Sequence, residues 1–348
     1  MMDLFIRRSW FLQPANSEAL SSTALLQALD RELASWKNEV DFPSFWYLTS
    51  AAEVNVLLDD SLQSWLSQRA QPDLQLDFVA SACTSWHAAI LDFASSEQQD
   101  VLVVQLELNQ YRQQDCLDSL GIGIQPEQDG LSVVTGIAVS WLSKVATACD
   151  EAKILECDLL SQPSGLDGLL QLIRLVRRRL ATAPDTPVVS FDIHSRWGKQ
   201  LLKGFSQQVR HWLTSVESDQ QHFLSIKPLR EMHTYLLSQQ HREIWILTLG
   251  GGGRIGCLRL TSDSNHPHGF IPRAVHRQRL TLDASLRQFQ AALAVKEHSA
   301  DAFYAMVRSA MSYPQKRFRG HHNQVFHWHP SHSWQQLPQH YGAQYGEA

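Results

Sequence analysis

Leu20, Leu25, Leu26, Leu29 and Leu33 recur at helical spacing within residues 17–37, and this pattern predicts an amphipathic helix. The short apolar run Phe45 to Thr49 predicts a buried strand. Helical period returns from Asn55 to Arg69 through Val56, Leu57, Leu62, Trp65 and Leu66. A strand over Leu76 to Ala80, a helix over Thr84 to Ser95 and a strand over Val101 to Leu106 follow. The last of these is apolar without alternation, as expected of a strand buried on both faces. Leu131 to Trp141 reads as a strand pair. Strands alternating with helices in this way indicate a layered α/β fold.

A second unit begins near Ala152. It contains a strong helix over Leu166 to Ala181 that ends in Arg177, Arg178 and Arg179, and a strand from Val188 to Phe191 after Pro184 and Pro187. An amphipathic segment over Arg196 to Val209, a helix over Pro228 to Gln239 and a strand over Glu243 to Leu249 complete it. From Asn265 onward Pro, His and Gln become frequent, and no short-period repeat marks a solenoid.

Composition narrows the picture. With 348 residues, 44% apolar and 19% charged, the chain belongs with ordinary globular proteins of one to three domains. A net charge of −5 argues against whole-protein nucleic-acid binding. Cys83, Cys116, Cys149, Cys157 and Cys257 are dispersed, without C-x-x-C or metal-ligand spacing, which fits a reducing compartment. The apolar stretch around Arg7 and Arg8 is too short and broken for a signal peptide, and no run approaches the roughly 20 apolar residues that span a bilayer. A soluble, cytoplasmic protein that does not bind membranes is expected.

Gly251-Gly252-Gly253-Arg254-Ile255-Gly256 formally matches the dinucleotide-binding pattern after a strand. That site needs a helix opening at the glycines, so that its N-terminus meets the pyrophosphate. Here Cys257 to Thr261 alternates and reads as a strand, so a tight hairpin is expected and no cofactor. The histidine-rich His327-Trp328-His329-Pro330-Ser331-His332 lacks cysteine and carboxylate neighbours, and it is read as a packing tail with no metal.

Cys83 stands where the strand Leu76 to Ala80 turns into the next helix. Unpaired N–H groups and the positive end of the helix dipole favour a thiolate there, the form that attacks carbonyl carbon. As a residue type, a buried structural cysteine is the other reading.

Four segments in this order resemble the thiolase-like condensing enzymes, above all the β-ketoacyl-acyl-carrier-protein synthase III group. They are Ala82-Cys83-Thr84-Ser85-Trp86, like the nucleophile elbow; the strand Val101 to Leu106 behind it; Gln128-Asp129-Gly130, where the family has Gly-Asp-Gly-Ala-Gly; and Leu249 to Leu260, like the closing glycine hairpin. Between the last two, Phe191-Asp192-Ile193-His194-Ser195-Arg196 lies where the family has His-Gln-Ala-Asn. The resemblance covers about residues 40–262 and rests on order and spacing more than on identity.

It implies a thiolase-like α/β fold of two similar halves, each a mixed sheet layered with helices. Residues 1–150 would form the half with the nucleophile, 151–264 the half with the catalytic histidine, and 265–348 an extension of unassigned role. Cys83 would accept an acyl group from an acyl-CoA or acyl-carrier thioester, and His194 would favour formation of the attacking carbanion. The backbone of Gly251 and Gly252 would help hold an oxyanion, and Trp86 would line the acyl tunnel unless it is a plain core residue. No Asn stands where the family has one; His222 or His233 would substitute, or either is a surface histidine. Arg196, Lys199 and Lys203 share a helix face that would meet an acidic carrier protein, with Arg177 to Arg179 as a second patch, or these are solvated faces. The resemblance further implies a dimer through the strand before the nucleophile helix, with a second copy or with another synthase-like subunit. The activity expected is acyl transfer and Claisen-type condensation in fatty-acid-like or secondary-metabolite synthesis. The alternatives are a non-catalytic partner subunit of a heterodimeric ketosynthase, or a simple acyl transferase or thioesterase that makes no C–C bond.

Overall fold

The computed structural model describes residues 2–13, 20–37, 42–51, 60–68, 74–81, 83–108, 132–161, 166–190, 203–204, 209–216, 221–250, 254–272 and 324–328. The chain runs β1 (Phe5–Leu12), α1 (Ser22–Trp36), β2 (Phe45–Ser50), α2 (Asp60–Ser67), β3 (Gln75–Ala80), α3 (Ser85–Ser95), β4 (Asp100–Glu107), β5 (Ser132–Val133) and β6 (Gly136–Ser143). It continues with β7 (Ala152–Ser161), α4 (Leu166–Leu180), β8 (Val188–Val189), β9 (Trp212–Leu213) and β10 (Gln221–His222). A 3₁₀ turn Leu224–Ile226, α5 (Lys227–Met232) and a π-helical turn His233–Leu237 come next, then β11 (Glu243–Gly250), β12 (Arg254–Thr261), β13 (Ile271–Pro272) and β14 (Gln324–Trp328).

The main sheet contains its own internal repeat. Its strands lie in the order β14-β3-β2-β4-β6-β1-β7-β12-β11-β8-β9. From β3 to β1 the neighbours are parallel, parallel, antiparallel and antiparallel. From β9 back to β7 the same series recurs: β8 with β9 and β11 with β8 are parallel, β11 with β12 and β12 with β7 antiparallel. Helices recur in step, α1 and α4 after the first strand of each series, α3 and α5 before the fourth. The series meet where β1 pairs with β7 through Phe5↔Lys153 and Ile6↔Ala152.

Side-chain alternation then builds the layers. Trp46 and Leu48 of β2 and Leu102, Val104 and Leu106 of β4 pack against α1 and α2, together with Leu25, Leu26, Leu29, Leu33 and Trp65. Helix α1 begins at an N-cap, Ser21, whose side chain accepts from Ala24 N at 3.2 Å. On the opposite face Tyr47, Val101 and Val103 join Trp86, Ile90 and Phe93 of α3, and Ile154, Ile246 and Leu258 of the second series join the same cluster. Helix α3 is buried along its length, which is why its apolar residues run all round it. Each large side chain enclosed there contributes about 1.5–3 kcal/mol. Leu172, Val176 and Leu180 of α4 cover the outer face of the second series against Trp245, Leu247 and Ile255.

Two of the long strands escape a reading based on hydrophobic pattern. β1 is interrupted by Arg7, which lies over the Trp141 ring at 5.3 Å and pairs with Asp100 at 3.4 Å. β7 is a central strand that carries buried Lys153, Glu156 and Asp158. Each is neutralised from a neighbour: Lys153 by Asp3 at 3.1 Å, Glu156 by Arg259 at 3.1 Å and Asp158 by Arg179. Of the three arginines that end α4, Arg179 is thus drawn against β7, while Arg178 is exposed and Arg177 partly exposed. The single helix expected over Pro228–Gln239 is instead α5 followed by a π turn, with a 3₁₀ turn leading into them. The expected strand pair over Leu131–Trp141 is also revised: β5 pairs in parallel with β10, and β6 lies in the main sheet.

The glycine hairpin pairs in register from Glu243↔Thr261 to Gly250↔Arg254. Gly256 is required by packing: a Cβ there would lie 2.6 Å from the His87 ring on α3. The edge of β3, through which the resemblance expects a dimer, is paired with β14 of the same chain, from Gln324↔Ala80 to Trp328↔Leu76. Among the described residues no helix is long and apolar enough to cross a membrane.

Candidate active site

The turn between β3 and α3 is closed by its own hydroxyls. Thr84 N and Oγ1 donate to Ser81 O at 3.0 and 2.6 Å, and Ser81 N donates to Ser85 Oγ at 2.8 Å. Ser85 Oγ in turn donates to Ser50 O at 2.9 Å, which ties the turn to the end of β2. Cys83 sits in this turn just before the N-cap Thr84, with 1% of its surface exposed. Its Sγ lies 3.2 Å from Nε2 of His222. The two residues are 139 positions apart.

His222 is held by equally local means. β10 pairs with β5 through His222↔Val133, and Val134 N donates to His222 O at 3.0 Å. The chain then passes through buried Leu224 at φ 52 into the 3₁₀ turn and α5. A bulky side chain in the left-handed region costs on the order of 1–3 kcal/mol, so neighbouring contacts must hold it. Ser225 supplies them: its N and Oγ donate to Glu107 Oε1, the N at 3.2 Å, and its O accepts from Gln105 Nε2. Glu107 also accepts from Ala51 N at 3.0 Å and from Ser50 Oγ at 3.4 Å.

Below this layer lies a buried ion pair. Lys227 Nζ, on a side chain 1% exposed, stands 3.3 Å from Glu231 and donates to Ser190 O and Leu247 O at 3.1 Å each. Glu231 accepts from Ser215 Oγ at 2.8 Å and Val216 N at 3.0 Å. α5 is thereby fastened to β8, β11 and the segment after β9. His87, one turn along α3 from Cys83, is fully buried; burial, and secondarily Lys227, lower its pKa to about 3. It stays neutral at ordinary pH, with one ring nitrogen protonated and the other bare.

The other expected residues are placed as follows. His233 Nε2 lies 2.8 Å from Ser9 Oγ, and its ring packs edge-on against Phe11 at 5.1 Å. Its imidazole is therefore committed to β1 and does not accompany Cys83, and burial lowers its pKa. Trp86 is enclosed in the central core, with Nε1 donating to Ser140 Oγ at 3.0 Å. Lys203 is exposed. His194, Gly251, Gly252, Arg196 and Lys199 lie outside the described residues. Among described residues Cys83, Cys149, Cys157 and Cys257 are free thiols. Burial, and then Asp158, push the Cys257 thiol well above its ordinary range. Glu107, Gln105 and Ser225 were not anticipated; the available signal was two polar residues, i and i+2, closing an otherwise apolar strand.

A buried thiol facing an imidazole can pass its proton to Nε2 and attack an electrophilic carbon. Cys83 and His222 also hold corresponding places in the repeat. Each follows the third strand of its series and precedes the helix of the central layer.

No family model matches the sequence, and no curated protein matches it by sequence. Solved structures match by fold. An acyltransferase, ChlB3, superposes with a TM-score of 0.53 at 12% identity, over 74% of this chain and 97% of that one. Cerulenin-bound OleA of Xanthomonas campestris, as a co-crystal, gives 0.53 at 12% identity, over 74% and 96%. The 3-oxoacyl-(acyl carrier protein) synthase III FabH of Xanthomonas oryzae pv. oryzae gives 0.50 at 13% identity, over 75% and 100%. The chain has the thiolase-like α/β fold of two similar halves that these structures share, at low sequence identity to each.

Proposed function

We propose that this protein is an acyltransferase of the condensing type, with Cys83 as acyl acceptor and His222 as its proton partner. The observation that carries this reading is the 3.2 Å contact between Sγ and Nε2 at corresponding positions of the two halves. Sγ attacks the thioester carbonyl of an acyl-CoA or acyl-carrier substrate while Nε2 takes its proton. The C–S bond to the leaving thiol breaks, the proton passes to that thiol, and the acyl group remains on Cys83. A second thioester becomes the attacking carbanion by losing CO₂ or by giving its α-proton to the freed imidazole; it bonds to the acyl carbon as the C–S bond to Cys83 breaks, which returns the Cys83 thiolate. In this reading His222 takes the place where the condensing enzymes carry an asparagine, donating to the enolate oxygen, and His194 keeps its expected role beside it. Arg196, Lys199 and Lys203 serve carrier docking, and the product class is fatty-acid-like or secondary-metabolite.

Incubation with a panel of acyl-CoA and acyl-carrier thioesters, read by intact mass, tests the proposal. Acyl mass is expected on the native protein and on Cys116→Ser, absent from Cys83→Ser, and slow to accumulate on His222→Ala. No adduct with any donor would refute it and favour the non-catalytic partner-subunit reading.

A further inference from the structure

The reacting atoms come from turns in different halves of the molecule, so something must hold those turns in register. We infer that Glu107 is the positioning residue that does so; this rests on the reading of Cys83 and His222 as the reacting pair. Glu107 closes β4 and is fully buried. Alternation along β4 places Gln105 and Glu107 on the face of Val101 and Val103, toward the central layer.

The Glu107 carboxylate meets donors from both sides. From the first half it receives Ala51 N and Ser50 Oγ. Ser50 O then receives Ser85 Oγ, which receives Ser81 N, so the line reaches the turn that carries Cys83. From the second half it receives N and Oγ of Ser225, three residues after His222. With Gln105 on its carbonyl, Ser225 has its backbone N–H, hydroxyl and carbonyl all bound to β4. Those bonds fix the residue that follows strained Leu224, and hence the exit angle of the chain from His222. Displacing a reacting pair by about 1 Å costs on the order of 100-fold in rate.

The test uses iodoacetamide as a thiol probe, with labelling at Cys83 followed by peptide mass on the full-length protein. Native protein, Glu107→Gln, His222→Ala and the double variant are compared. Glu107→Gln is expected to slow labelling by about 10- to 100-fold in the native background and to have no further effect in His222→Ala, because without the imidazole the register no longer matters. A general loss of structure would slow or speed both backgrounds alike. Equal effects in the two backgrounds, or no effect of Glu107→Gln, would overturn the inference. If Glu107→Gln does not fold, Ser225→Ala carries the same comparison: it removes one donor, and a labelling rate equal to native overturns the inference. Unchanged labelling in His222→Ala would instead refute the dyad itself, and the positioning role with it.

Discussion

Replacing His87 with Phe should flatten the acid side of the stability curve. In the folded protein the imidazole is fully buried with both ring nitrogens lacking a hydrogen-bond partner among the described residues, and its pKa falls from 6.5 to about 3. Between those values the unfolded chain binds a proton at this residue and the folded chain does not. Stability therefore rises with pH through this window and is lost as pH falls. At about 1.4 kcal/mol per pH unit, His87 alone removes up to about 5 kcal/mol between pH 6.5 and 3, and about 3 kcal/mol between pH 6.5 and 4.5. Phe keeps a flat ring against Gly256 and leaves no buried nitrogen unpaired. Urea denaturation of both proteins at half-unit steps from pH 4.5 to 7.5 measures the difference directly, because carboxylates that titrate in the same range contribute to both curves and cancel. Native and His87→Phe profiles that run parallel within about 0.5 kcal/mol would show that the folded imidazole is reached by water or a proton acceptor and does not titrate as a buried group.

Lys227→Met should destabilise the fold by about 3–5 kcal/mol in chemical denaturation, because it leaves Glu231 buried without its cation, and adding Glu231→Gln should restore part of the loss. Gly256→Ala should cost about 1–3 kcal/mol by driving a methyl into the His87 ring, with the penalty reduced when His87→Ala makes room; a double-mutant cycle on thermal unfolding reads the coupling. Removing residues 273–348 should uncover the edge of β3 and raise self-association in sedimentation velocity, since an uncovered edge strand offers a row of unpaired N–H and C=O groups. A monomer at all concentrations after that truncation would show that β14 is not what protects the edge.

The fold was legible where the core is apolar. β2, β4, α1 and α3 each bury their characteristic faces, and the pattern of Leu, Val and Trp announces them. β1 and β7 were hidden because they solve a different problem. They form the seam between the two series, and Arg7, Lys153, Glu156 and Asp158 sit there with partners from distant positions. A charged residue in a strand looks like a breaker until its counter-ion is known, and Arg259, Arg179 and Asp3 lie 103, 21 and 150 residues from their partners in chain order.

The choice among histidines shows the same limit more sharply. As residue types in polar segments, His222 and His233 were indistinguishable. What separates them is the internal repeat, which lives in strand order and orientation and leaves no sequence identity to detect. Once β3-α3 is laid on β9-α5, position distinguishes the two histidines. Cys83 stands two residues before the first helical residue, Ser85, and His222 two residues before Leu224, where the helical turns begin. His233 falls a full helix later and turns toward Ser9. A central layer formed by two such helices presents the residues before their N-termini to each other, and this is how His222 comes to face Cys83. A protein of this fold without asparagine there can still present a donor and acceptor to the thiol, provided the replacement is also the residue that enters the helix.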